Sequence, residues 1–119
     1  MAKLTLKDGR IFEVEAGLRL VLALKDNDVD ILHRCGGHAK CTTCRVSFLE
    51  GEPTRMTEAE KERLEARDLL GQARLSCQIL TDGDMRLEPL NTISNSDLDD
   101  AGPRPEDNIT PDPVWIDAP

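Results

Sequence analysis

Three of the chain's four cysteines fall within ten residues, in Cys35-Gly36-Gly37-His38-Ala39-Lys40-Cys41-Thr42-Thr43-Cys44, and the fourth, Cys77, follows thirty-three positions later. Nothing else in the sequence restricts the fold as tightly. Thiolates are soft ligands, and four of them satisfy either one tetrahedral zinc ion or the two irons of a 2Fe–2S centre. The glycine pair after Cys35 suits a chain wrapped closely round a cluster. Glycine reaches positive φ cheaply and lets peptide N–H groups turn toward sulfur. Zinc sites usually draw their ligands as two C-x2-C knuckles. Cys41 and Cys44 make one such knuckle, but Cys35 and Cys77 stand forty-two positions apart and make no second. A zinc-stabilised binding module therefore stays as the alternative, with the spacing against it.

The surrounding chain suits one small domain. It has 119 residues and only 3% aromatic content, from Phe12, Phe48 and Trp115, so the core must be mainly Leu, Ile and Val. A bound cluster would help so small a core. Two disulfides in a secreted protein are another use for four cysteines. Against that, Met1-Ala2-Lys3-Leu4 runs straight into a strand pattern with no secretory signal, and no apolar run is long enough to cross a membrane. The expected compartment is reducing, the cytoplasm. Net charge is −8, unevenly spread. Residues 1–90 hold 14 Lys and Arg against 16 acids, whereas residues 91–119 hold Arg104 alone against seven. An oxidised cluster on four cysteinates would bring the total to about −10. Such a chain is a poor nucleic-acid binder and is better matched to a basic protein surface.

Along the chain, Leu4, Leu6, Phe12 and Val14 flank Lys7-Asp8-Gly9-Arg10, a β-hairpin pattern. A two-residue Asp-Gly turn would put Leu4 and Phe12 on opposite faces. A three-residue loop with Gly9 left-handed instead pairs Leu4 with Phe12 and Ala2 with Val14, and this is the expected register. A short helix is expected at about 18–26 with Leu20, Val21 and Leu24 inward. Arg45 to Leu49 alternates as a strand ended by Gly51 and Pro53. Thr57 and Glu60 form a capping box for a helix over about 58–68, with Gly71 at its stop. Ser76 to Leu80 and Met85 to Glu88 read as strands around an Asp82-Gly83 turn. These elements make a 1–90 domain of α+β class, helices packed on a mixed sheet. Five prolines interrupt the acidic 91–119 segment, so no strand or helix is expected there; it reads as a tail, mobile or draped over the body.

The strings Cys35-Gly36-Gly37-His38, Cys41-Thr42-Thr43-Cys44-Arg45-Val46 and Arg74-Leu75-Ser76-Cys77-Gln78 resemble the 2Fe–2S ferredoxins, plant-type in the wide sense. The resemblance covers roughly residues 2–90. Plant-type spacing has four residues between the first two cysteines. Five, as here, resembles the adrenodoxin-like and related bacterial branch. Ala39 departs from relatives that carry a glycine there. The resemblance implies a β-grasp fold with a cluster-binding loop and one 2Fe–2S cluster on Cys35, Cys41, Cys44 and Cys77. It assigns Cys35 and Cys41 to the iron nearer solvent, which would take the electron. It further implies a one-electron carrier with no catalytic constellation of its own, working between a ferredoxin reductase and an acceptor such as an oxygenase or cytochrome. A redox sensor or an assembly module is the alternative use of the same site.

Other residues near the cysteines have plainer readings. His33 and His38 are hydrogen-bonding or exposed residues, since four cysteines already fill the ligand positions. Lys40 and Arg45 beside the thiolates either tune the local field or are ordinary solvated charges, the second being the preferred reading. In adrenodoxin-like members the helix matching 58–68 presents acids to basic partners, which makes Glu60, Glu62 and Glu65 the candidate docking residues. The interleaved Lys61, Arg63 and Arg67 depart from that pattern and offer i,i+4 pairing instead. Trp115 has three readings: folded back onto the body, incidental in the tail, or an anchor for a partner.

Overall fold

A hairpin starts the chain with the expected three-residue loop. Strands β1 (Ala2–Leu6) and β2 (Ile11–Val14) pair Ala2 with Val14 and Leu4 with Phe12. Gly9 sits at φ +96°, and Leu6 N–H donates to the Arg10 carbonyl at 2.8 Å. Leu4 is buried and Phe12 packs against the same core, as the parity argument requires. The computed structural model describes residues 2–29, 31–33, 44–81, 83–90, 105–109 and 113–117.

The remaining elements are α1 (Leu20–Asp26), β3 (Arg45–Glu50), β4 (Arg55–Thr57), α2 (Glu58–Ala66), β5 (Arg74–Leu75), a 3-10 turn (Ser76–Gln78), β6 (Met85–Pro89) and β7 (Trp115–Asp117). The main sheet runs β2-β1-β6-β3-β5. Its middle pair, β1 and β6, is parallel, and the other pairs are antiparallel. This is the mixed sheet with two helices expected of a β-grasp fold. Its core is aliphatic: Leu4, Leu6, Leu20 to Leu24, Val46, Leu64, Leu75, Ile79 and Leu87 are all buried.

Several expectations need correction. Helix α1 begins at Leu20, and all five residues from Leu20 to Leu24 are buried, Leu22 and Ala23 as well as the three expected inward. Helix α2 ends at Ala66, and its stop is not Gly71. Asp68 takes the left-handed conformation (φ 55°), with Leu69 N–H donating to Leu64 O at 2.8 Å. Thr57 caps α2 by accepting from Glu60 N–H, but the Glu60 carboxylate does not return to complete the box, because it is used elsewhere.

The expected strand at 76–80 is instead the 3-10 turn followed by an isolated Arg19–Leu80 bridge, with the short β5 just ahead of it. A strand sends alternate side chains to opposite faces, yet Ser76, Cys77 and Gln78 are all fully buried. A tight turn permits three successive inward side chains. The acidic tail also carries a strand. β7 pairs with β4 in a second, two-stranded sheet, Thr57 opposite Trp115, and Glu58 N–H donates to Val114 O at 2.9 Å. The prolines flank this three-residue piece without entering it, so its ladder donors are intact. Trp115 is half-buried on the body.

Candidate metal centre

Two of the four cysteines lie on neighbouring elements at one end of the sheet. Cys44 immediately precedes β3 and Cys77 sits in the 3-10 turn after β5. The β3–β5 register sets Arg45 opposite Leu75. One step further along, Ser76 closes the junction: its N–H donates to Cys44 O at 3.1 Å and its hydroxyl to the same oxygen at 2.8 Å. Both thiols are buried, Cys44 at 2% and Cys77 at 0% exposure. Cys35 and Cys41, with His38 and Lys40, lie outside the described residues. His33 is buried just before that loop, and Arg45 is half-buried at the start of β3.

The surroundings of Cys77 favour negative charge on its sulfur. Gln78 Nε2 donates to Cys77 Sγ at 3.7 Å. Gln78 Oε1 accepts from the Thr57 hydroxyl at 2.7 Å. That hydroxyl already accepts Glu60 N–H, so its proton is directed at an acceptor, which fixes the amide with its NH2 toward sulfur. Arg19, at 0% exposure, donates to the Cys77 carbonyl through Nε at 3.1 Å and Nη2 at 2.6 Å. Its Nη1 donates to Glu106 O at 2.7 Å and Asn108 O at 3.1 Å. Two buried thiols on segments fastened at one junction, with a Gln78 N–H directed at one sulfur and a guanidinium at the same residue's carbonyl, form a set that fits thiolate-bound metal. The 2Fe–2S group therefore fits the residues present.

Of the candidate docking residues, Glu62 and Glu65 are exposed on α2. Glu60 is not a docking residue: it is 0% exposed and accepts from Arg74 Nε at 2.8 Å, Arg74 Nη2 at 3.2 Å and Leu75 N–H at 2.9 Å. Desolvation pushes the Glu60 carboxyl above its ordinary range, with the Arg74 guanidinium and the Leu75 N–H pulling it back in part. Arg19, Thr57 and Gln78 escaped sequence reasoning as site residues. Arg19 left one signal, a lone charge inside the apolar run from Leu18 to Leu24.

Comparison with known proteins follows the same lines. The family profile described as 2Fe-2S iron-sulfur cluster binding domain matches residues 4–82. A 2Fe-2S ferredoxin of Pseudomonas aeruginosa is 36% identical over 94 residues, covering 73% of this chain and 82% of that one. A component of the Na(+)-translocating NADH-quinone reductase of Methylococcus capsulatus is 34% identical over 82 residues; the match takes in 66% of this chain and 19% of that much longer protein. Among solved structures, the ISC-like 2Fe-2S ferredoxin of Pseudomonas putida superposes with a TM-score of 0.63 at 27% identity, covering 74% of this chain and 91% of that one. Another is similar with a TM-score of 0.55 at 28% identity, covering 74% of this chain and 97% of that one, from the covalent putidaredoxin reductase–putidaredoxin complex.

Proposed function

The chain belongs to the family of 2Fe-2S iron-sulfur cluster binding domains, and from that premise we propose how this ferredoxin-type electron carrier is loaded and used. Cys35, Cys41, Cys44 and Cys77 hold its one cluster. It receives single electrons from a ferredoxin reductase and delivers them to an acceptor protein such as an oxygenase or a cytochrome. The observation that supports Cys44 and Cys77 within this set is the Ser76 clasp on Cys44 O, which joins the two distant segments carrying these buried thiols.

When bound, a 2Fe–2S cluster supplies reversible uptake of one electron and so one added negative charge. The chain's own residues prepare for that charge. Gln78 holds an N–H on Cys77 Sγ, and Thr57 holds Gln78 in that orientation. Burial of Cys44 and Cys77 keeps water from their sulfurs, which limits rearrangement when the charge changes. Reductase docking draws support from the putidaredoxin relative captured with its reductase, and from the exposed Glu62 and Glu65 on α2. A cytoplasmic setting is consistent with thiols kept reduced. Among the described residues no helix is long and apolar enough to cross a membrane.

The test is Cys77→Ser, purified without oxygen. The parent is expected red-brown, with two irons and two labile sulfides per chain and an electron paramagnetic resonance signal after reduction. The variant is expected to lose that spectrum or alter it strongly. A variant with the parent's spectrum and signal, or a colourless zinc-bearing parent, would overturn the ligand set.

A further inference from the structure

Arg19 is the only charged residue between Leu18 and Leu24, and its side chain is fully buried. It sits at the N-cap of α1 with backbone φ −60° and ψ 134°, so its carbonyl starts the helix while its side chain turns away from it. Among the described residues the guanidinium joins two parts of the chain. One edge donates twice to the carbonyl of Cys77, and Nη1 donates to the carbonyls of Glu106 and Asn108. Beside these contacts Pro105 and Ile109 are buried, and β7 pairs with β4 a few residues later. The C-terminal segment is thus fastened to a cysteine of the metal centre by one buried cation.

Such an arrangement has an electrostatic consequence. A guanidinium remains charged throughout the usable pH range. In a buried setting its field is screened far less than that of a surface Arg. A positive charge held at the backbone of a thiolate ligand stabilises the form with the extra electron more than the form without it. The 105–109 segment keeps that guanidinium dry by supplying carbonyls where water would otherwise solvate it.

We propose that Arg19 is a positioning residue of the electron-transfer site: it raises the reduction potential of the cluster at Cys77, and the C-terminal segment 105–109 sustains that effect by shielding it. This rests on Cys77 being a cluster ligand. The spectrum of Cys77→Ser tests that reading separately, since it is expected to be lost or strongly altered if that sulfur holds iron.

The experiment measures midpoint potentials of the full-length holo-protein by dithionite titration, together with limited proteolysis of the C-terminal segment. Three variants serve: Arg19→Gln, Arg19→Lys and Ile109→Glu. Arg19→Gln removes the charge and the fork. Its potential is expected to fall by an amount equivalent to about a tenfold change in the one-electron equilibrium, ~59 mV, with the C-terminal segment becoming cleavable. Ile109→Glu expels the segment but leaves the cation, so the potential is expected to fall by less while cleavage rises as much. Arg19→Lys keeps the charge but cannot hold both parts of the chain, and is expected to lie between the parent and Arg19→Gln. If Arg19→Gln fails to retain cluster, the other two decide: a parental potential in both overturns the proposal. An Arg19→Gln potential equal to the parent's overturns it. So does a shift no larger than that of Ile109→Glu, since the charge would then contribute nothing beyond holding the tail.

Discussion

Arg74 and Glu60 form the most demanding side-chain pair described in the molecule, at 4% and 0% side-chain exposure and 2.8 Å apart. Arg74 also donates to the carbonyls of Pro53 at 2.9 Å and Arg55 at 2.9 Å, and so ties β5 to the segment leading into α2. Breaking a buried pair by removing one partner leaves the other charge in a low-dielectric interior, which typically costs about 3–5 kcal/mol. Arg74→Met is expected to lose stability on that scale. The loss should depend on pH in a definite direction. Burial already holds the Glu60 carboxyl above its ordinary value of 4.5, and without Arg74 it rises further. A carboxyl raised in the folded state binds its proton more tightly folded than unfolded, so stability falls as pH rises through the folded value. Urea melts of variant and parent should therefore differ most near pH 8 and less near about pH 5.5. A pH-independent difference would mean that Glu60 is not left charged and buried.

Both described α-helices end on an aspartate in the left-handed region, Asp28 at φ 64° and Asp68 at φ 55°. Each is followed by the long-range bond of a Schellman stop: Val29 N–H to Leu24 O at 3.0 Å and Leu69 N–H to Leu64 O at 2.8 Å. Glycine takes that conformation without the Cβ crowding that aspartate bears. Asp68→Gly is expected to raise stability by about 0.5–1 kcal/mol, read as a higher denaturation midpoint with an unchanged reduced spectrum; a lower midpoint would show that the Asp68 side chain contributes more than its backbone costs. These stops also mark where the sequence was legible. The hairpin register could be worked out because loop length and facing parity left one arrangement with Leu4 and Phe12 together. The four cysteines stood out by spacing alone. The end of α1 followed from Asn27-Asp28, whereas the end of α2 was harder to place, since Asp68 stands where a glycine was sought. The turn at Ser76–Gln78 answers to Cys44 O and Arg19, which are distant in sequence, and no local pattern announces it. Strand β7 exists only because β4 offers it an edge. Glu60 looked like a helix-surface acid, and only Arg74, fourteen residues on, reveals it as buried.

Across the whole molecule the charge is lopsided, and electron delivery depends on how a partner senses that. Residues 91–119 hold seven acids against Arg104 and so carry −6 of the net −8, whereas Glu62 and Glu65 stand exposed on α2 among Lys61, Arg63 and Arg67. The molecule measures 32 × 30 × 25 Å. At 0.01 M salt the screening length is about 30 Å, so a basic reductase senses all of these charges together; at 0.1 M it is about 10 Å, and only charges beside the contact still count. Two variants separate the contributions: Asp97, Asp99 and Asp100 all to Asn, which removes three tail charges, and Glu62→Gln with Glu65→Gln, which removes two from the helix. If α2 is the docking face, both variants slow reduction by the reductase at low salt through weaker steering. At 0.1 M the helix pair alone should still slow it, by several-fold, despite removing fewer charges. Stopped-flow reduction across that salt range measures both. A larger effect from the tail variant at 0.1 M would place the reductase against the C-terminal segment and take the docking role away from Glu62 and Glu65.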